Sequence, residues 1–485
     1  MSLSFAWPRP CKPSINLRAC LHHPSTASRK PNANKFWRVG NVHVCQGQRL
    51  EVPTHSSLRR KSVKKLIVFY DGWQEHWPLG TLVATARGIL FEYTPQAIAR
   101  GLQLSSMHHP LPRPGAVTAS FKGESHSYGL PGFIGDALPD GWGMLLMDRL
   151  LRKLGREPRE VSVLERLAMV GQRAMGALSF EPADEDESLA ETLELKALAK
   201  EVTALQADEN SGSQRADDQL RHLMQLGGSP QGARPKVLVD FNARTGKLSS
   251  GLPLVGSATP WLVKFPAEGE HREVCAVEEL YARVARAGGI DMPRSRFFDL
   301  GSKHSAFGVE RFDRLVSSKQ VSRVHIMSLS AYLQADHRLP SLDYETVLLA
   351  TLRITGDQRD VLKAFERCIF NVLMHNRDDH SRNFAYRLNE QGRWQLSPAF
   401  DLTYSFGPGG EHATSVAGHG KNITRAHLLQ AATAGGIAPK VAERTMDAWV
   451  KVAGGMGKLV RELPIRRSTL GELVKATAMQ IELLK

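Results

Sequence analysis

Residues 360–402 constrain the fold of this chain most, because they set a dense polar stretch between two regular elements. The first part, DVLKAFERCIFNVLMHN, has the apolar period of a helix, and the last part, FAYRLNEQGRWQLS, has the alternation and central turn of a hairpin. Their junction, HNRDDHSRN at residues 375–383, holds two carboxylates, two imidazoles, two guanidiniums and two amides. A solvated surface turn would explain such a stretch in isolation, so its meaning depends on the rest of the chain.

Three residues of this segment have the chemistry of metal-assisted phosphoryl transfer. Asp378 and Asn383 are spaced as DxxxxN, and Asp401 follows in SPAFDL. A DxxxxN pair arises about once by chance in a chain of this length, but a helix that delivers the loop and a hairpin that leaves it could bring all three residues to one place. Protein kinases use the same offset between a base and an amide ligand of Mg²⁺, with a later Asp as a further ligand. The pattern predicts Asp378 as the catalytic base and Asn383 and Asp401 as metal ligands.

A strand lysine and a helix carboxylate complete this chemistry. Lys264 lies in the strand-like PWLVKFP, where Trp261, Val263 and Phe265 can face a core, and Glu278 lies on the helix that follows. A buried lysine is costly unless it is paired, so we expect Glu278 to pair with Lys264 and to position it for phosphates. The alternative is an edge lysine whose ammonium reaches solvent.

A glycine-rich loop, GGSPQGARPK at residues 227–236, precedes the strand-like KVLVDF. Its backbone amides can face phosphate oxygens. Gly227 and Gly232 have the spacing of a P-loop, but Ala233 and Arg234 occupy the places of its Lys and Ser/Thr, which argues against a P-loop NTPase. An ordinary linker turn is the alternative to a loop that covers phosphates.

The positive charge of the chain is concentrated at its start. Residues 1–65 hold thirteen Lys or Arg and one acidic residue, Glu51, so this segment carries +12 of the net charge of +14. The remainder is nearly neutral, and the overall charge is no evidence for DNA binding. We expect a disordered leader. An organellar transit peptide and an over-extended reading frame, with the next methionine at Met107, remain alternative explanations.

Cysteine usage and hydropathy predict a soluble protein in a reducing compartment. The five cysteines form no CxxC pair and no zinc spacing. No apolar run approaches the length that spans a bilayer. We therefore expect a cytoplasmic location.

Six separated motifs, in this order, resemble those of the HipA family of toxin–antitoxin serine/threonine kinases. They extend over residues 66–460 and are LPGFIGDALPDGWG, GARPK, WLVKFP, GVERFDR, NRDDHSRNFA and LSPAFDL. The resemblance implies an α+β, two-lobed protein-kinase-like fold with an extra N-terminal β-rich subdomain and an all-helical C-terminal lobe. It places the basic leader at 1–63, the β-rich subdomain at 64–170, the kinase-like N-lobe at 171–315 and the helical C-lobe at 316–485.

The same resemblance implies the residues that contact ATP. They are Gln231, Gly232, Ala233, Arg234, Pro235, Lys236, Lys264, Glu310, Arg311, Phe312, His380, Asn383 and Asp401. Ser229 falls at the position of the serine that the family phosphorylates on itself, and a phosphate there would pull the loop off the nucleotide. The loop text departs from the commoner family pattern at Pro230 and at Arg234-Pro235.

The resemblance also implies an activity and partners. The expected reaction is ATP- and Mg²⁺-dependent phosphorylation of a protein, with an aminoacyl-tRNA synthetase as a family target. The expected partner is a small helix-turn-helix antitoxin, HipB-like, which binds operator DNA.

Two other functions fit parts of the sequence. A metal-dependent hydrolase could use His375, Asp378, Asp379 and His380 as ligands, although we expect His375 to be a helix-end residue. A catalytically idle protein could hold an antitoxin on DNA. Neither alternative gives a role to the complete set of Asp378, Asn383 and Asp401.

Overall fold

The computed structural model describes residues 63–112, 127–183, 190–207, 214–228, 230–251, 257–317 and 320–485. The predicted leader, apart from residue 63, lies outside the described residues, and the same is true of the predicted phosphorylation site Ser229. All described residues belong to one unit, Lys61–Lys485.

An antiparallel sheet begins the described chain, and we name it the N-terminal sheet. Its four strands are β1 (Lys65–Tyr70), β2 (Trp77–Thr85), β3 (Gly88–Tyr93) and β4 (Leu178–Glu181), in the order β3-β2-β1-β4. Alternate residues of β1, namely Leu66, Val68 and Tyr70, are buried, as expected for a strand with one face on a core.

Between β3 and β4, the described residues form four helices. They are α1 (Pro95–Arg100), α2 (Gly132–Gly135), α3 (Gly141–Lys153) and α4 (Val163–Val170). Along α3, residues Trp142, Leu146, Met147 and Leu150 are buried, which is the spacing of one helix face. Together with the N-terminal sheet, these helices form the N-terminal subdomain.

A second antiparallel sheet, the central sheet, carries the strand with Lys264. Its strands are β5 (Glu191–Leu193), β6 (Lys236–Asn242), β7 (Leu248–Ser250), β8 (Ala258–Lys264), β9 (Ser295–Asp299) and β10 (Ser305–Glu310), in the order β5-β7-β6-β8-β10-β9. The helices of this part are α5 (Leu195–Ala207), α6 (Gln214–Gly227) and α7 (Val274–Ala287), and α7 packs on β9 and β10.

The rest of the described chain is mainly helical, with short strands among the helices. The helices are α8 (Leu329–Leu333), α9 (Tyr344–Thr355), α10 (Gln358–Leu373), α11 (Arg425–Ala434), α12 (Pro439–Gly454) and α13 (Arg467–Leu484). The strands are β11 (Arg314–Ser317), β12 (Gln320–Arg323), β13 (Ile326–Ser328), β14 (Leu342–Asp343), β15 (Ala385–Leu388), β16 (Trp394–Leu396) and β17 (Thr414–Ser415). Short 3₁₀ turns occupy Pro158–Glu160, Ser381–Asn383, Pro408–Gly410 and Met456–Leu459.

The predicted helix, polar loop and hairpin are confirmed. Helix α10 ends at Leu373, and the antiparallel pair β15–β16 forms the hairpin that follows residues 375–383. We name residues 375–383 the catalytic loop and residues 227–236 the glycine loop. The mixed helix and sheet architecture agrees with the predicted α+β class, whereas the domain boundaries stay predictions.

Side-chain contacts attach the N-terminal subdomain to the rest of the described chain. Arg323 of β12 pairs with Asp71 at 2.8 Å and donates to the carbonyl of Leu178 at 2.7 Å. Asp136, at the end of α2, accepts hydrogen bonds from the amide (2.6 Å) and hydroxyl (2.8 Å) of Ser328. Among the described residues, no helix is both long enough and apolar enough to cross a bilayer.

Candidate functional site

Lys264 ends β8 with its side chain in the interior, where it is 8% exposed. Its ammonium lies 2.6 Å from a carboxylate oxygen of Glu278 and 2.5 Å from one of Asp401. Burial acts to lower the pKa of Lys264, but the Asp401 and Glu278 carboxylates outweigh burial and raise the pKa above its ordinary value. The lysine is therefore charged at neutral pH.

Glu278 places a buried carboxylate of α7 against this lysine. It is 1% exposed, and its second oxygen lies 3.5 Å from a guanidinium nitrogen of Arg234 in the glycine loop. Arg234 also pairs with Glu270 at 2.9 Å. The structure thus brings together the predicted lysine and glutamate, and it adds a cation from the loop.

Lys236 brings a second buried ammonium to the same place. It lies directly opposite Lys264 in the β6–β8 ladder and is 3% exposed. Like charges at opposite positions of a sheet repel each other. Burial, followed by the charge of Lys264, lowers the pKa of Lys236 to about 8. Its ammonium donates to the carbonyl of Gln231, its one hydrogen bond with the described residues.

Asp401 closes the cluster from the end of the hairpin. Its φ is 54°, a left-handed conformation that aspartate tolerates better than most residues. Burial acts to raise the pKa of Asp401, but Lys264 and then Lys236 hold it well below its ordinary value. The side chain remains 40% exposed, so a carboxylate oxygen stays accessible to a ligand.

The catalytic loop places Asp378 and Asn383 beside each other. The amide nitrogen of Asn383 donates to the backbone carbonyl of Asp378 at 2.6 Å, which turns the amide oxygen to the other side. The Asp378 side chain is 62% exposed, and His380 lies 3.8 Å from its carboxylate. The ring of His380 also contacts the His337 ring at a centroid distance of 5.5 Å.

The four ligands of the alternative hydrolase are not gathered. His375 follows the end of α10, as expected, and its ring lies 3.0 Å from the carbonyl of Ala476. Asp379 is fully buried and bound to Tyr344 and His412. Only Asp378 and His380 remain close, which leaves too few ligands for a hydrolytic metal site.

The predicted segment at the end of β10 is divided between two environments. The Glu310 side chain accepts from Arg294 at 2.6 and 2.7 Å, and Arg311 makes a two-pronged pair with Asp313 at 2.8 and 2.9 Å. Neither side chain reaches the Lys264 cluster. The ring of Phe312 does approach it, because it lies 5.6 Å from the ring of Phe400, the neighbour of Asp401.

The remaining loop residues lie between the N-terminal subdomain and the central sheet. The side chain of Gln231 donates to the carbonyl of Asp136 at 3.2 Å, and the carbonyl of Pro235 accepts from the amide of Phe265 at 2.9 Å. Gly232 has a φ of 103°, a conformation that strongly favours glycine.

Sequence reasoning missed the contacts of Asp136 and Asp140 in the N-terminal subdomain and of Arg382 in the catalytic loop. Asp140 accepts hydrogen bonds from the amide of Gly232 and from the guanidinium of Arg382, and Asp136 joins Gln231 to Ser328. Both aspartates lie in GFIGDALPDGWG. Two acidic residues among glycines and prolines were the one sequence signal that this segment makes polar contacts rather than packing in the core.

The cations and carboxylates of this site fit a nucleoside triphosphate with Mg²⁺. Lys264 contacts a carboxylate oxygen of Asp401, and the charges of Lys236 and Arg234 lie near enough to help lower the pKa of that carboxylate. A buried ammonium such as that of Lys236, with one hydrogen-bond partner among the described residues, is stabilised by an anion. Within the described ranges no group of three His, Cys, Asp or Glu side chains could hold a metal. Mg²⁺ needs fewer protein ligands than that, because phosphates and water complete its shell.

Comparison with protein families matches two consecutive parts of the chain. Residues 70–181 match the HipA N-terminal domain, and residues 228–455 match the HipA-like C-terminal domain. The glycine loop from Gly228 onward, the Lys264 cluster and the catalytic loop all lie within the second match.

Curated relatives include two candidate kinases of Sinorhizobium fredii. Y4dM is 25% identical over 304 residues, which cover 59% of this chain and 65% of the relative. Y4mE is 27% identical over 264 residues, which cover 50% of this chain and 53% of the relative. This chain thus spans less than two-thirds of the length of each of these two relatives.

Among solved structures, the fold is similar to HipA of the Shewanella oneidensis MR-1 toxin–antitoxin system, determined in complex with HipB and operator DNA. The TM-score is 0.62 at 18% sequence identity, and the match covers 86% of this chain and 95% of that one. The predicted HipA-like fold is confirmed.

Proposed function

The chain belongs to the HipA family, and we propose that it is an ATP- and Mg²⁺-dependent serine/threonine protein kinase that acts as the toxin of a toxin–antitoxin module. One observation carries the proposal: the ammonium of Lys264 joins Glu278 of α7 to Asp401 at 2.6 and 2.5 Å. A strand lysine, a helix glutamate and an aspartate that follows the catalytic loop form the set that protein kinases use.

Each side chain of the site has a task in this reaction. Lys264, Lys236 and Arg234 bind phosphate oxygens, while the amide oxygen of Asn383 and the carboxylate of Asp401 are the ligands for Mg²⁺. Bound ATP supplies the phosphoryl group, and Mg²⁺ offsets the charge on its phosphates.

Asp378 is the proposed base. Its exposed carboxylate can accept the proton of a hydroxyl that a protein substrate presents. The imidazole ring of His380 lies 3.8 Å from this carboxylate.

The nucleotide base is proposed to lie near the end of β10. The ring of Phe312 is available for contact, whereas Glu310 and Arg311 contribute through their backbone because their side chains are paired elsewhere.

The partners follow from the family. We include in the proposal autophosphorylation at Ser229, a HipB-like helix-turn-helix antitoxin with its operator DNA, and an aminoacyl-tRNA synthetase as substrate in the cytoplasm. The HipA of Shewanella oneidensis was solved with HipB and operator DNA, which supports the antitoxin and DNA parts.

The test is phosphate transfer from ATP labelled at its terminal phosphate, with the full chain and Mg²⁺. Wild type should retain label on protein, and chelation of Mg²⁺ should abolish the transfer. Asp378→Asn should lower the rate by about a thousandfold or more, because removal of a base removes transition-state stabilisation, with nucleotide affinity largely intact. Asp447→Asn is the matched control, since its side chain on α12 is similarly exposed at 57%.

The same assay separates the alternatives. Release of phosphate from varied esters, with none retained on protein, would support the hydrolase. Nucleotide binding without any transfer, unchanged by Asp378→Asn, would support the idle binding protein.

A further inference from the structure

The residue before α3 contacts both loops of the candidate site. One carboxylate oxygen of Asp140 accepts the amide of Gly232 in the glycine loop. The other accepts the guanidinium of Arg382, which lies between Asp378 and Asn383 in the catalytic loop. A single side chain of the N-terminal subdomain thus joins two segments that are far apart in the sequence.

Both backbone groups of Gly232 make hydrogen bonds with residues at the start of α3. Its amide donates to Asp140, and its carbonyl accepts the amide of Trp142 at 3.1 Å. Between these two residues, Gly141 leaves no room for a side chain, because a Cβ there would lie 2.6 Å from the carbonyl oxygen of Gly232. The start of α3 is therefore in direct backbone contact with the glycine loop.

A second contact fixes the end of α2, which precedes Asp140 in the chain, to the helical part of the chain. The Asp136 carboxylate binds the amide and hydroxyl of Ser328, which is the N-cap of α8. The Asp140 bridge accordingly starts from a segment whose position relative to the catalytic loop is already set.

The charges of the bridge depend on each other. The Asp140 and Arg382 side chains are 28% and 16% exposed, and the Nε of Arg382 has no partner among the described residues. Removal of Asp140 would leave a largely buried guanidinium without its carboxylate, which favours displacement of the arginine.

We propose that Asp140 is a positioning residue that sets the register between the glycine loop and the catalytic loop. This inference rests on the proposed kinase function. The glycine loop holds the donor phosphates and the catalytic loop carries the base, so their register determines how well the hydroxyl and the phosphorus are aligned. An error of about 1 Å in such an alignment can lower a rate about a hundredfold.

The experiment compares Asp140→Asn with a matched variant on the same helix. Asp148 pairs with Arg166 at 2.7 Å, and its side chain is 27% exposed, close to the 28% of Asp140. Neither Asp148 nor Arg166 contacts either loop in a described hydrogen bond. Both aspartate variants lose one ion pair of the N-terminal subdomain, but only Asp140→Asn disturbs the bridge.

Steady-state phosphotransfer should separate the two variants. We expect Asp140→Asn to lower kcat by about tenfold or more, with the KM for ATP changed by less than about threefold, because the alignment of bound reactants is lost rather than their binding. Asp148→Asn should retain wild-type kcat. Asp140→Glu should recover part of the loss.

A double-mutant cycle approaches the bridge from its other end. Arg382→Gln should lower kcat in the same way, and the double variant with Asp140→Asn should be no slower than the slower single variant. If Asp140→Asn does not fold, Arg382→Gln and Asp140→Glu carry the comparison.

The outcomes distinguish the two proposals. A wild-type protein without phosphotransfer contradicts the proposed function. An active wild type with equal kcat in Asp140→Asn and Asp148→Asn, or with strictly additive losses in the cycle, overturns the positioning role.

Discussion

Asp378 and Asp379 are adjacent in the chain, yet the side chain of the first is 62% exposed and that of the second is fully buried. The Asp379 carboxylate accepts the hydroxyl of Tyr344 at 2.7 Å and the amide of Ala413 at 2.9 Å, and it lies 2.8 Å from the ring of His412. The exposed neighbour has room to meet a substrate. The buried one holds the catalytic loop against the segment before β17.

Alanine substitutions should show this difference. Asp379→Ala leaves several buried donors without an acceptor, and we expect it to cost about 3 kcal/mol or more of folding free energy. Asp378→Ala should change stability by less than about 0.5 kcal/mol and abolish phosphotransfer. Denaturant unfolding measures the first effect, and equal stability of the two variants would contradict the assignment.

Glu278 and Glu279 offer a matched pair on α7. Both are buried and ion-paired, but Glu278 faces Lys264 while Glu279 faces Arg283 and Arg286. We expect Glu278→Gln and Glu279→Gln each to lower stability by about 1–3 kcal/mol, because each weakens a buried charge pair. Only Glu278→Gln should weaken ATP binding in a titration. An equal loss of affinity in both would show that the effect comes from α7 as a whole.

Lys236 should lower the stability of the free protein. Its pKa in the fold is about 8, and that of an unfolded lysine is about 10.4. The folded state therefore binds fewer protons between these values, so stability rises with pH across the window and is reduced below it. We expect Lys236→Met to raise stability at about pH 7 by about 1–3 kcal/mol, although it loses the bond to Gln231. Thermal unfolding at several pH values tests the sign, with the exposed Lys421→Met as control.

Nucleotide affinity should follow the protonation of the same lysine. Because a phosphate favours the charged ammonium, wild-type affinity for ATP with Mg²⁺ should fall as pH rises above about 8, by up to about tenfold per pH unit. Lys236→Met should bind more weakly at neutral pH and show a flat profile there. Calorimetric titrations in buffers of different ionisation enthalpy would also detect proton uptake. A wild-type profile as flat as that of the variant would remove Lys236 from the phosphate site.

Substitution of two glycines at the ends of α3 can distinguish the effect of backbone strain from the effect of contact with the glycine loop. Gly141 (φ 41°) and Gly155 (φ 71°) both have left-handed conformations, but a Cβ at Gly155 meets nothing within 4 Å. Gly155→Ala should cost about 1 kcal/mol of stability through backbone strain alone. Gly141→Ala should cost more, because its Cβ would also clash with the backbone of Gly232 and Ala233. Only Gly141→Ala should weaken ATP binding, because its Cβ would displace Gly232. Equal affinities of the two variants, measured by titration, would contradict the direct contact.

Local patterns predicted the parts of the site that lie on regular elements. The alternation around Lys264 placed it on a strand, and the helix after it placed Glu278 within reach. The DxxxxN spacing with a returning hairpin placed Asp378 and Asn383 in one loop. These predictions needed only the period of a strand or a helix and the order of the elements.

The parts that sequence reasoning missed depend on pairing between distant segments. Nothing near Asp140 indicates that its carboxylate meets Arg382, and nothing in the polar loop distinguishes the buried Asp379 from its exposed neighbour Asp378. In the same way, the text GVERFDR does not reveal that Arg311 turns to Asp313 and Glu310 to Arg294. A side chain's partner in such cases is chosen by the tertiary fold, which no local period encodes.

The order β3-β2-β1-β4 has a consequence for synthesis of the chain. Strand β1 lies between β2 and β4, and its pairing of Ile67 with Glu181 closes a loop of roughly 110 residues. On the ribosome, one edge of β1 therefore stays unpaired until β4 has emerged, long after the first hairpin can form. A nascent chain that pauses before Leu178 would expose this edge to other strands. The nascent chain is therefore exposed to aggregation while the residues between β3 and β4 are being synthesised.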